Sequence, residues 1–279
     1  MPVDDAQRRG RAHFLRKRRE KVLPADVGLP GGLRRRTPGL RREEVAVLAG
    51  VSPTWYTYLE QARDVSPSPE VLDNLATVLG LSSYERNYLY NVSRGESAAE
   101  PEAYSHSELR LPLQDLISSV GPVPAYICSQ FGDLLAWNEA ATEWLDDFGR
   151  FEEERRNTLL WMLTADVARE RFVNWDVQAR HLIARFRSDV ATIQDSPRVA
   201  ALVRELSERS PLFRRWWDEH EVAGPDCTAY PMRHPRYGAV PVRTLELLYQ
   251  DASAGVKMVI HMPTEGLPAD PGPDGGATG

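Results

Sequence analysis

Two groups of residues in this chain could do chemistry, and in both the chemistry is binding. The first is a run of cations. Between Arg8 and Arg42 there are thirteen lysines and arginines and only two acids, Glu20 and Asp26, a local charge of +11 in a chain whose net charge is −6. Arg34, Arg35, Arg36, Arg41 and Arg42 crowd its far end. Guanidinium forks suit phosphate oxygens. Close behind lies SPTWYTY (52–58), where Ser52, Thr54, Thr57 and Tyr58 offer hydroxyls and Trp55 an indole N–H. The rest of the chain carries −17, so a polyanionic partner is expected at one end only. The second group is aromatic. Trp137, Trp144, Trp161, Trp175, Trp216 and Trp217, with several phenylalanines, supply enough apolar surface for a small-molecule pocket as well as for ordinary core. Arg180, and after it Arg187, with His181, could serve such a pocket as polar contacts. For Arg180 the competing reading is an ion pair with Asp176, four residues earlier.

Other chemistries lack their residues. There is no phosphate loop, no G-x-S-x-G and no H-E-x-x-H, and the six histidines form no ligand cluster. Cys128 and Cys227 are far apart, against a disulfide framework or a zinc site, and nothing positions Cys227 with His234 as nucleophile and base. No catalytic residue, metal or cofactor is therefore expected, and the chain is read as a non-enzyme. No apolar run approaches ~18 residues and the N-terminus is charged, so a cytoplasmic protein without a membrane partner is expected. At 279 residues the prior is about two domains.

The elements that must position these groups are legible. Residues 6–22 read as a basic helix, followed by a Pro/Gly-rich loop, 23–40. Four short helices follow: 42–49, 53–61, 70–79 and 84–92. In EEVAVLAGVSPTWYTYLEQ (43–61), Val45, Leu48 and Ala49 share one helical face. Gly50 fits the left-handed position after a helix. Ser52 is a good N-cap and Pro53 suits the first helical position. Helix, tight turn, helix is the layout of a DNA-binding helix-turn-helix. Residues 93–107 are polar and acidic, a linker. From 124 the order is strand, turn, strand, helix. A helical stretch broken at Ser196-Pro197 and Ser210-Pro211 follows, then three strands over 227–263. Pro241 suggests an edge or a bulge. In the tail, 264–279, half of the sixteen residues are Gly or Pro, and it is expected to be disordered.

Residues 6–94 resemble the phage-repressor-type XRE class of helix-turn-helix regulators, on the core EEVAVLAGVS (43–52), the Tyr56/Leu59 pair and Glu60. The longer string RRRTPGLRREEVAVLAGVSPTWYTYLEQARDVSPSPEVLDNLATVLGL (34–81) is similar to the MmyB-like subfamily of actinobacteria. Residues 110–263 resemble the PAS-like MmyB ligand-binding domain, on AYIC, the turn Gly132-Asp133, LLAWN capped at Asn138, NWDVQARHLIARFR (174–187) and the RHP…G pattern at 233–238. The resemblance implies a multidomain chain. An all-α helix-turn-helix domain of five helices (6–94) and a linker (95–108) precede an α+β PAS-like domain with an antiparallel sheet (109–263) and a disordered tail (264–279). It implies that Tyr56 and Leu59 are core and that Glu60 pairs with an arginine of the first helix, Arg19. It places Ser52, Pro53, Thr54, Thr57 and Tyr58 toward a major groove, Trp55 either at a phosphate or against the 23–40 loop, and the arginines at 34–36 and 41–42 on the DNA backbone. It implies a transcription regulator binding a double-stranded operator as a homodimer in the nucleoid. Its second domain would bind a small apolar effector such as a fatty acid or related lipid, in a pocket drawing on Trp137, Asn138, Trp175, Arg180, His181 and Arg187. The alternative is a DNA-bound adaptor whose second domain holds a protein and no ligand. The base-reading positions depart from the class in lacking Gln, Asn and Arg, which shifts specificity toward shape and the arginine loop.

Overall fold

A computed structural model describes residues 5–30, 39–93, 106–248 and 255–266. The chain forms two compact units. The first holds the N-terminal helices together with two later stretches, Arg187–Val203 and Arg215–Gly224. The second holds most of the remainder.

In the first unit the five expected helices are α1 (Asp5–Lys21), α2 (Arg42–Leu48), α3 (Pro53–Glu60), α4 (Pro69–Val78) and α5 (Ser83–Asn91). Each start has a local cause. The Ser52, Ser68 and Ser82 hydroxyls accept the backbone N–H three residues on, and proline opens α3 and α4. At the α2 start the Glu44 carboxylate instead accepts the Arg41 N–H at 2.7 Å. Gly50 takes φ +73°, turning the chain sharply into α3. The core gathers Phe14, Leu15, Val45, Tyr56, Leu59, Leu75 and Leu89. Ala191 and Val222, more than a hundred residues further on, complete it. Around them the Tyr88 hydroxyl meets His220 Nε2 at 3.0 Å and accepts from Gln194 at 3.0 Å. Lys17 pairs with Asp218 and Arg18 with Glu221, each at 3.0 Å. Residues 187–203 and 215–224, which the sequence reading places within 109–263, lie in the first unit, where they cover buried aromatics of α1 and α5.

The second unit begins with α6 (His106–Ser118), which starts inside the expected linker. Its sheet is antiparallel throughout, in the order β2-β1-β5-β4-β3. The strands are β1 (Ala125–Ser129), β2 (Leu134–Trp137), β3 (Tyr230–His234), β4 (Gly238–Leu248) and β5 (Val256–Pro263). Between β2 and β3 run α7 (Glu139–Trp144), α8 (Thr158–Thr164), α9 (Asp166–Arg171), α10 (Trp175–Asp189), α11 (Pro197–Arg209) and α12 (Pro211–Asp218), with breaks at Ser196 and Ser210 as expected. Pro241 is neither on an edge strand nor at a bulge. It lies in β4 opposite Pro231, in an unshifted ladder. Its carbonyl accepts from Thr264 beyond the end of β5, so its missing N–H costs no ladder bond. Among the described residues the register shifts in β1 against β2, at Ile127/Cys128. Among the described residues no helix is long and apolar enough to cross a membrane.

Candidate nucleic-acid interface and ligand pocket

The α3 helix divides its residues as the helical period demands. Tyr56, Leu59 and Glu60 are fully buried, while Ser52, Pro53 and Thr54 are exposed. Thr57 and Tyr58 are half-buried, and the Thr57 hydroxyl donates back to the Pro53 carbonyl at 2.8 Å. Trp55 is half-buried and packs on the helical core, the contact that competes with a phosphate role. Tyr58 has a neighbour the sequence did not suggest: the Arg63 guanidinium lies over its ring at 4.3 Å. Ala62 brings it there by adopting φ +57°, which folds Arg63 back so that its N–H meets the Tyr58 carbonyl. An alanine in that region carries no sequence signal.

Beneath α3 lies the expected pair. Arg19 Nε donates to Glu60 at 2.6 Å, Arg19 Nη2 to its other oxygen at 3.2 Å, and Arg19 Nη1 to the Leu40 carbonyl at 2.8 Å. A third member was not expected: Arg42 Nε donates to Glu60 at 2.6 Å. Arg42 therefore stands at the α2 start with one edge anchored on a buried acid, its side chain 42 % exposed. Burial raises the Glu60 pKa, but the bonds and charges of Arg19 and Arg42 outweigh it and hold the carboxyl below its ordinary range. Burial, then the Glu60 charge, pushes the Tyr56 hydroxyl well above its ordinary value. Replacing Glu60 by alanine strands Arg19 in the core, an expected loss of about 3–5 kcal/mol. Guanidinium unfolding of E60A against the parent chain measures it, and a loss below ~1 kcal/mol would mean that Arg19 escapes to water. Arg41 is exposed beside Arg42. Arg34, Arg35 and Arg36 lie outside the described residues.

The six residues read as ligand contacts are not gathered in one place. Asn138 is a structural hub. Its Oδ1 accepts from Ala141 at 2.8 Å and Ala125 at 3.1 Å, and its Nδ2 donates to Val123 at 2.8 Å and Gly121 at 3.4 Å. All four bonds go to backbone groups, so no capacity points into a pocket. Trp175 donates its indole N–H to Met162 at 2.8 Å and carries Arg169 on its ring face at 4.0 Å. Arg180 is exposed. His181 is half-buried, and burial holds its pKa below the ordinary value, against the pull of Asp226 and Glu246. Arg187 belongs to the first unit, where it lies 3.0 Å from His220 Nδ1 and over the Trp217 ring at 3.7 Å. It thus serves that core and not a headgroup. Trp137 is half-buried, edge-on to Phe148 at 5.8 Å.

The aromatics do line a cavity. A space of ≈ 120 Å³ is walled by Phe148, Phe151, Leu160 and Trp161, and Arg155, Arg209 and Glu205 also line it, with Arg209 paired to Glu205 at 2.9 Å. The Trp161 indole N–H donates to the buried carboxylate of Asp146 at 2.9 Å, which also meets Arg150. From Trp161 the rings continue edge-on to Phe172 at 6.2 Å, and Phe172 stacks on Tyr230 at 6.1 Å. There the Tyr230 hydroxyl lies 2.7 Å from Thr244 and 2.8 Å from Nδ1 of the buried His261. Sequence periodicity shows these residues as strand positions; that they meet on one sheet face depends on the pairing of β3, β4 and β5.

Residues 109–271 match the family model for the MmyB-like transcription regulator ligand binding domain, and residues 12–89 match that of a helix-turn-helix domain. No curated protein matches the chain.

Proposed function

The chain belongs to the MmyB-like transcription regulators, with a DNA-binding domain and a ligand-binding domain, and from that premise we propose how each part works. Two copies bind a double-stranded operator. Thr54 and Tyr58 of α3 meet base edges, and Arg41 and Arg42 hold the backbone at the start of α2. The observation that carries this is the arrangement around Glu60: the groove-facing helix and a half-exposed arginine are anchored on one buried carboxylate. Such anchoring fixes the spacing of base contact and phosphate contact before DNA arrives.

The two kinds of contact separate in one experiment. An operator is selected from random duplexes, and affinity is measured across a salt series. Arg42→Ala should weaken selected and random duplexes alike and flatten the slope of log K against log salt by about 0.9. Thr54→Ala should leave the slope intact and change which duplex is preferred, at a cost of about 1–3 kcal/mol on the original. Equal losses on every duplex from T54A would refute base reading there.

The second domain is read as a PAS-like sensor of a small apolar acid, on the support of the 2-1-5-4-3 strand order and the aromatic cavity. At ≈ 120 Å³ the cavity is below the ~300–1,000 Å³ of drug-sized sites, which favours a short chain over a long-chain fatty acid. Arg155 replaces Arg180 and Arg187 as the headgroup candidate, since Arg209 is held by Glu205. Native mass spectrometry of the purified chain tests this against the adaptor reading: a co-purifying small acid supports the sensor, and an adduct-free chain unaffected by added short-chain acids supports the adaptor.

A further inference from the structure

The sheet of the second unit is covered unevenly on the face that α6 packs against. Strand alternation and register put Ile127, Ala136 and Ile260 on this face, and there Leu113 and Ile117 of α6 bury against them. The β4 half of the face stays open: Leu245 is 37 %, Leu247 57 % and Met262 40 % exposed. Arg243 on β4 and Arg233 on β3 are exposed on the same side. The orientation of α6 follows from Gln114, whose side chain donates to the Trp137 carbonyl at 3.0 Å and so marks the flank toward β2. At 100° per residue, Pro112 and Leu116 fall on the opposite flank, toward the open half, and Leu116 is 50 % exposed. Asp115 is exposed beyond them. The outcome is an apolar trough beside α6. With strands about 4.8 Å apart it spans roughly 10 Å, the width of one helix.

We propose that this trough is the contact between two copies of the chain, each receiving the α6 of the other. The trough is apolar with an arginine border and, among its described residues, no acid. The flank of α6 that would enter it offers Leu116 and Pro112 with the acid Asp115. Shape, apolarity and charge are thus complementary between two patches of the same surface, the condition for a closed two-fold contact. In that contact Leu116 covers Leu245 and Leu247 of the other copy, and Asp115 reaches its Arg243. Each sheet is then covered along its whole width, by its own α6 over β1 and β2 and by its neighbour's over β4. The proposal rests on the two-copy reading above and adds the surface.

Sedimentation velocity of the full chain, from low to high micromolar concentration, tests it. The parent chain should sediment as a dimer. The double variant L245D/L247D should dimerise about a hundredfold more weakly or worse, with its thermal melting unchanged because both leucines are exposed. Asp115→Arg should weaken the dimer about tenfold, and adding Arg243→Asp to it should recover most of the loss. Should the leucine variant fail to fold, the charge exchange decides by itself. A parent chain that stays monomeric overturns both the two-copy reading and this surface. A dimer indifferent to the leucine substitutions, or a charge exchange without recovery, overturns the surface alone.

Discussion

A fragment of residues 1–98, which contains the whole helix-turn-helix, will not hold the fold it has in the full chain. Its core lacks Ala191 and Val222, and its α1 and α5 lose the cover of two later stretches. Tyr88, only 2 % exposed, loses both hydroxyl partners, His220 and Gln194. Phe14 loses the His220 ring beside it at 5.9 Å. Uncovering two large aromatics at about 2–3 kcal/mol each removes about 4–6 kcal/mol, the Tyr88 hydroxyl exchanging its partners for water. That is comparable with the whole stability of a small domain. The fragment should show helical far-ultraviolet circular dichroism, poor amide dispersion in NMR and no cooperative melt. In the full chain Val222→Ala gives the milder test, an expected loss of about 1–2 kcal/mol. A fragment that melts cooperatively near the full chain's temperature would refute the prediction.

The second large effect is acid lability beginning well above the carboxylate range. Every histidine with a resolved shift moves downward: His13, His181, His220, His234 and His261. Burial is the first cause in each. For His220 the Arg187 charge adds to it, while for His261 burial, against the opposing pull of the Glu246 charge, brings the value to about 4. Below pH 6.5 the unfolded chain takes up protons that the folded chain refuses, so stability falls with pH and levels off only beneath the folded values. For His261 the span from 6.5 to about 4 corresponds to about 3 kcal/mol. The geometry agrees. His261 Nδ1 lies 2.8 Å from the Tyr230 hydroxyl, and a protonated ring could only donate there, fixing the direction of a bond that is otherwise free to run either way. Denaturant unfolding at pH 7.5 and 5.0 should show the loss. His261→Gln, which retains an acceptor but does not titrate, should make the pH dependence shallower. A stability that is flat across that interval would remove the argument.

Much of this was legible in sequence, and the reasons differ by feature. The five helices and the α2–α3 turn were, because Ser52, Pro53 and Gly50 act through bonds a few residues long. The Arg19–Glu60 pair was, through resemblance to a motif that retains it. The cap made by Asn138 was, but not the other three bonds that make it structural, since these reach Ala125, Val123 and Gly121 only after the strand has turned. Arg42 on Glu60, Arg63 on Tyr58 and the departure of Arg187 to the first unit were not legible. Each depends on where the chain returns, over 5 to 33 residues, and local pattern is blind to that distance. The arginines at 34–36 lie outside the described residues, so the phosphate role read for them stays a proposal.

The late arrival of Ala191 and Val222 also has a meaning in time. Synthesis runs at roughly 5–20 residues per second, so Asn91, where the helices end, is added roughly 7–26 s before Val222. For that interval the nascent helix-turn-helix is incomplete. A chain whose translation stops before Val222 lacks part of the first unit's core. If the fragment behaves as predicted, the order of synthesis couples completion of the DNA-binding unit to the making of most of the ligand-binding domain.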